Sequence, residues 1–141
     1  MRQLALAVLV TFGIACSAQE VTVRVFNAKN DQPLASETVK VQSMGGEASS
    51  PVLLTTDAKG EAHFSIPNHT GHIDVRVVLK KSRHWDCNCW VAADTKEVRQ
   101  GIVAYTPVKG REAPAAKPNE IVIMAYPLSF IQRLLWPLMK Q

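Results

Sequence analysis

From Val21 to Phe26 the chain alternates, with Val21, Val23 and Val25 apolar and Thr22 and Arg24 between them. A period of two places successive side chains on opposite faces, so this stretch predicts a half-buried β-strand. The same alternation returns over Thr38 to Gln42, with Val39 and Val41 inward, and a short strand is expected over Val52 to Thr56. Ala62, Phe64 and Ile66 form an inward row against Glu61, His63 and Ser65. Ile73, Val75, Val77 and Leu79 form another against His72, Asp74 and Arg76. The segments between are turn chemistry. Asn27 to Pro33 is rich in residues that bend the chain through local hydrogen bonds or fixed φ, and Gly60 ends the Asp57-Ala-Lys-Gly turn. Ser43 to Pro51 and Pro67 to Gly71 read as loops.

The later part is less regular. Lys80 to Ala93 is expected as a polar, aromatic and cysteine-bearing excursion. Val98 to Tyr105 reads as a strand with Gly101 marking a bulge or close backbone approach. Four breakers, Pro107, Gly110, Pro114 and Pro118, make Thr106 to Asn119 a long loop. Glu120 to Tyr126 is apolar at both parities, the pattern of a strand covered on both faces. About seven short strands punctuated by turns predict an all-β, antiparallel sandwich. In the tail, Ile131, Leu134, Leu135 and Leu138 fall at helical spacing, Ser129 can cap the start, and Pro137 ends or bends the helix. That helix is expected to pack on the open end of the sandwich. Trp136 with Arg133 and Lys140 also suits a membrane surface or a partner.

The first eighteen residues bear on location. A charge at Arg2, an apolar run from Leu4 to Ala15 and the small residues Cys16-Ser17-Ala18 form the order of a secretory signal, too short to span a bilayer. The reading is a signal peptide at 1–18, a sandwich at 19–126 and a tail at 127–141, with the domain periplasmic or secreted. An alternative takes Gly13-Ile14-Ala15-Cys16 as a lipoprotein box, which would anchor the domain through a lipidated Cys16. The formal net charge is +4, one less without Arg2, and the cations are scattered apart from Lys80-Lys81-Ser82-Arg83. That is no footprint for nucleic acid, and no further segment is long enough to cross a membrane.

From Val21 to Leu79 the pieces VTVRVFNAKNDQPLASETVKVQ, TTDAKGEAHFSIP and HIDVRVV resemble the carboxypeptidase regulatory-like domain. Gln32-Pro33-Leu34, Thr56-Asp57-Ala58-Lys59-Gly60 and Phe64 fill that family's turn and strand positions, and Ala35-Ser36-Glu37 departs from its usual glycine. The resemblance implies an Ig-like or transthyretin-like sandwich, also described as a carbohydrate-binding-like fold. It implies an accessory module rather than an activity, over residues 19–79. Some relatives bind glycans, but no residue here carries over as a sugar contact. The C-terminal half, with Tyr126-Pro127-Leu128 before a short aromatic helix, resembles small secreted bacterial proteins of unassigned function.

The candidate chemistry sits in His84-Trp85-Asp86-Cys87-Asn88-Cys89-Trp90. Outside the cytoplasm the leading reading is a Cys87–Cys89 disulfide within a turn, since two Cα atoms two residues apart on an extended strand are about 6.6 Å apart, near the limit for a bond. Free or intermolecular cysteines are the second reading. A soft-metal site from His84, Cys87 and Cys89 is the third, one ligand short of a closed zinc site. Trp85 and Trp90 are loop anchors in the core or, alternatively, ligand contacts in a sugar-stacking platform. His63 and His72 face outward, and His63 is expected near Asp74 or Arg76 on one hairpin. No nucleophile elbow or phosphate loop is present in the sequence. The function expected is therefore a non-enzymatic extracytoplasmic binding or structural module, with no catalytic residue, cofactor or firm metal site. Carbohydrate binding and a redox or metal role through His84, Cys87 and Cys89 are the alternatives, and the partner is a protein or a glycan.

Overall fold

The computed structural model describes residues 18–44, 50–67, 69–81, 84–87, 89–104, 112 and 114–139, without the side chains of 136–139. The expected leader, apart from Ala18, and Cys16 with it lie outside the described residues. Nine strands and two helices follow in order: β1 (Gln19–Asn27), β2 (Thr38–Met44), β3 (Val52–Thr55), β4 (Glu61–Ile66), β5 (His72–Val78), β6 (Trp85–Cys87), β7 (Trp90–Asp94), α1 (Thr95–Gln100), β8 (Ile102–Ala104), β9 (Glu120–Pro127) and α2 (Phe130–Met139). The strands form two sheets. One runs β4-β1-β9-β6 with β8 also on β9, and the other runs β3-β2-β5-β7.

The all-β, two-sheet expectation holds, but two of its details are corrected. The pairing is mixed, because β1 and β8 both run parallel to β9. The strands also exceed seven, because the 80–93 excursion contains β6 and β7. The chain crosses repeatedly from one sheet to the other, and β2–β3 is the one hairpin among the described elements.

The alternation of each strand decides which side chains fill the gap between the sheets. Val21, Val23 and Val25 of β1 face Val39 and Val41 of β2 and Ile73, Val75 and Val77 of β5 in one buried cluster. β9 adds Ile121, Ile123 and Ala125, all without exposed surface. Its other parity, Val122 and Met124, is buried outside the sandwich against Phe26 and Ala28, with Ala116 packed over them. A strand covered on both faces has no use for polar side chains, which accounts for its unbroken apolar run.

Residues 95–100, where the sequence predicts the approach to and start of a strand, are helical instead. The side chain of Asp94 accepts from the backbone N–H of Lys96 at 2.7 Å, and Glu97 returns a bond to the Asp94 N–H at 3.0 Å. This reciprocal capping box starts α1. Val98 then points into the core with no exposed surface, and Gly101 at φ 93° ends the helix.

Candidate ligand-binding cleft

The outer face of the β4-β1-β9 sheet carries a run of cross-strand polar pairs. Register sets Glu61 beside Arg24 and His63 beside Thr22, with Thr22 in turn beside Glu120. His63 Nδ1 lies 3.0 Å from the Thr22 hydroxyl, and Ser65 donates to Glu20. The expectation that His63 sits near Asp74 or Arg76 is therefore corrected. β4 pairs with β1 in one sheet, while β5 pairs with β2 and β7 in the other.

At one end of this face a cleft of about 630 Å³ opens, floored by Arg24, Phe26 and Met124. One wall comes from Asp31 and Pro33 after β1, and another from Ala58, Lys59 and Glu61 around the β3–β4 turn. Glu112 and Pro114 complete the described lining. That volume lies within the range of small-molecule sites.

Arg24 is the organising group. Its guanidinium donates to Glu120 at 2.9 Å and lies 5.6 Å from the centroid of the Phe26 ring. The Glu120 side chain is almost fully buried, and its second oxygen accepts from the Lys117 N–H at 2.8 Å. A buried carboxylate anchored by a backbone donor is a fixed counter-charge, so it holds Arg24 against the ring and limits its rotamer freedom. The Arg24 side chain remains about one-third exposed. The cleft thus presents a positioned cation and the carboxylates of Asp31, Glu61 and Glu112 over a floor of nearly buried Phe26 and Met124.

The turn that carries Lys59 is fixed by sequence chemistry. Asp57 Oδ1 accepts from the backbone N–H groups of Lys59 at 2.8 Å and Glu61 at 2.9 Å. The bond from the Glu61 N–H is the main reason its carboxyl is held below the ordinary aspartate value, followed by the bond from Lys59. Thr56, buried, donates to the Leu34 carbonyl at 2.7 Å and accepts from the Glu37 N–H at 2.9 Å. The Thr-Asp-x-x-Gly segment therefore ties the β3–β4 turn to the β1–β2 connection and sets the width of the cleft.

Ligand atoms of Asp57, Glu61 and His63 lie within 4.8 Å of one another on the rim. Their donor chemistry suits a hard or borderline cation. One Asp57 oxygen already serves the turn, and His63 Nε2 stands 3.7 Å from a Glu61 oxygen.

The residues singled out in the sequence are dispersed. Cys87 and Cys89 form a disulfide with Cα atoms 5.1 Å apart. It sits where the chain leaves one sheet at β6 and enters the other at β7. Bonded sulfurs offer no thiolates, so the His84, Cys87 and Cys89 set is no metal site in this state. His84 is exposed beside Phe130 and Arg133. The sheet change also separates the two tryptophans. Trp85 is half-buried against the core, whereas Trp90 is exposed on the outer face of the second sheet, its indole N–H donating to Asp74. They share no platform.

The disulfide closes a very short loop, and in the chain-entropy account such a loop contributes at most about 1–2 kcal/mol. The double variant Cys87→Ser/Cys89→Ser is expected to lose no more than that in urea unfolding. A loss twice as large would show that the bond holds the sheet crossing itself.

No protein-family model matches the chain, and no curated protein does. Among solved structures, a 9R-lipoxygenase from Cyanothece PCC8801 aligns over 87% of this chain at 13% identity, with a TM-score of 0.35. The chain spans 18% of that protein's length. At that level of likeness neither fold type nor activity transfers.

Sequence reasoning missed Arg24, Phe26, Glu120, Asp31, Glu61 and Glu112 as a group. One signal was available. Phe26 shares the outward parity of Thr22 and Arg24, and a large aromatic at an outward strand position requires either a cover or a ligand.

Proposed function

We propose that this chain is an extracytoplasmic binding module without catalysis of its own, and that the cleft over Arg24 and Phe26 takes a hydroxyl-rich ligand of the glycan class. In this reading the two sheets are an Ig-like or transthyretin-like accessory frame of the carboxypeptidase regulatory-like kind, exported by the leader at 1–18. The observation that carries it is the fixing of Arg24 by buried Glu120 against an aromatic ring inside a cleft rimmed by carboxylates. Sugars present hydroxyls at their edges and C–H groups on their faces. Planar charged side chains satisfy the first, and Pro33 and Pro114 suit the second.

Calorimetric titration with a panel of soluble oligosaccharides tests this. Arg24→Ala is expected to weaken binding about 10- to 100-fold, the loss of hydrogen bonds to a charged group. Trp90→Ala, on the opposite sheet, is expected to leave it unchanged. The reverse pattern would move the site to Trp90 and refute the cleft.

A further inference from the structure

The helix α2 does not pack where the sequence predicts. Its start is built locally: the Ser129 hydroxyl accepts from the Gln132 N–H at 3.2 Å, and Gln132 returns a bond to the Ser129 N–H at 2.8 Å. The base is tethered, with Leu128 buried and its N–H bonded to the His84 carbonyl at 2.8 Å. Beyond that point the described apolar side chains are exposed, with Phe130, Arg133 and Leu134 lining a shallow cleft beside His84. Phe130, Ile131 and Leu134 are each about two-thirds exposed or more, and Leu135 is 43% exposed. The end of the sandwich that packs a helix is the opposite one, where α1 lies beside Gln19, Gly71 and Asn119 and its Val98 joins the core.

At 100° per residue, Phe130, Leu134, Ile131 and Leu135 fall on one arc of about 140°, with Gln132 and Arg133 flanking its two edges. The charge is as one-sided as the hydrophobicity. From Ile121 to the last residue there is no Asp or Glu, and the cations are Arg133 and Lys140. Arg133 lies 6.0 Å from the Phe130 ring centroid, so a cation borders the apolar arc. No described helix is long and apolar enough to cross a membrane. A tethered helix with a wide exposed apolar arc, a bordering cation and no acids matches an anionic lipid surface in both hydrophobicity and sign.

We propose that α2 docks the domain in the plane of an anionic lipid surface, with Phe130, Ile131, Leu134 and Leu135 entering the headgroup boundary and Arg133 pairing with lipid phosphates. The proposal does not depend on the cleft. It is tested with the full chain by co-sedimentation with vesicles of phosphatidylcholine alone and of equimolar phosphatidylcholine and phosphatidylglycerol. Wild type is expected to bind the anionic vesicles more tightly, and added salt to weaken that binding. Ile131→Asp/Leu134→Asp is expected to reduce it at least about tenfold, from lost apolar burial and added like charge. Arg133→Gln is expected to remove the preference for anionic lipid alone. Ile131, Arg133 and Leu134 lie outside the buried core, so matching thermal melts are expected. The apolar leader is common to every variant, so the difference between variants reports the helix. Equal binding by wild type and the Asp variant, or no binding by wild type, would overturn the proposal. So would a wild-type dimer that the Asp variant dissolves, because a second copy would then cover the face.

Discussion

Replacing Ile121 with alanine is expected to cost about 2–5 kcal/mol of unfolding free energy, the range for truncating a large aliphatic side chain in a packed core. Ile121 has no exposed surface. It stands level with Val23 of β1 on one side and Ile102 of β8 on the other, and it shares its cluster with the inward residues of the second sheet. Neither neighbouring strand can close on the void without breaking ladder hydrogen bonds, so the cavity term is added to the lost transfer energy. Domains of this size have about 5–15 kcal/mol in total, so the variant is expected to be partly unfolded in mild denaturant. Urea melts followed by far-ultraviolet circular dichroism give the number. Ile121→Val should lose only about 0.5–1.5 kcal/mol. A loss below that range for the alanine variant would place Ile121 outside the core and contradict the sheet order.

The second large effect is expected at Gly60. Its φ is +72°, and a Cβ built there would lie 2.5 Å from the Val25 carbonyl oxygen and 3.0 Å from the Pro33 Cβ. The Gly60 carbonyl accepts from the Val25 N–H at 2.9 Å, so the turn is docked on β1 and cannot drift away without breaking that bond. Gly60→Ala therefore combines a left-handed backbone cost of about 1–2 kcal/mol with displacement of backbone atoms, and a total above about 2 kcal/mol is expected. Gly71 is the control. Nothing lies within 4 Å of its would-be Cβ, and no positive φ is required there. Gly71→Ala is expected to be neutral or to stabilise by a few tenths of a kcal/mol up to about 1 kcal/mol. Because Gly60 stands between Lys59 and Glu61, its alanine variant should also weaken ligand uptake by the cleft. Equal melting of the two glycine variants would contradict the placement of the turn against β1.

How much of this was legible in the sequence follows the range of the interactions. The inward rows of β1, β2, β4 and β5 and the doubly apolar β9 are local patterns, and each appears as a strand with the expected parity. The Thr-Asp-x-x-Gly turn was equally legible, because its hydrogen bonds close within a few residues. Partner choice was not. β1 and β9 lie about a hundred residues apart, and no single strand records that they run parallel. The expected neighbour of His63 failed for the same reason, since sequence adjacency suggested a β4–β5 hairpin. β6 and β7 escaped because they are short and are broken by the sheet crossing at Cys89. The helix α1 escaped although its capping box, Asp94 with Glu97, was on view, because the apolar residues after it read as a strand. The cleft joins residues of β1, β4, β9 and three connections, so only the outward Phe26 hinted at it.

The most direct test is a two-dimensional amide NMR titration of the isotope-labelled chain with the oligosaccharides that bind in calorimetry. Shifts concentrated at Phe26, Asp31, Lys59 and Glu61, with Trp90 and its neighbours unmoved, are the expected result. Shifts centred on Trp90 and Asp74, or no shift with any sugar, would contradict a glycan site over Arg24.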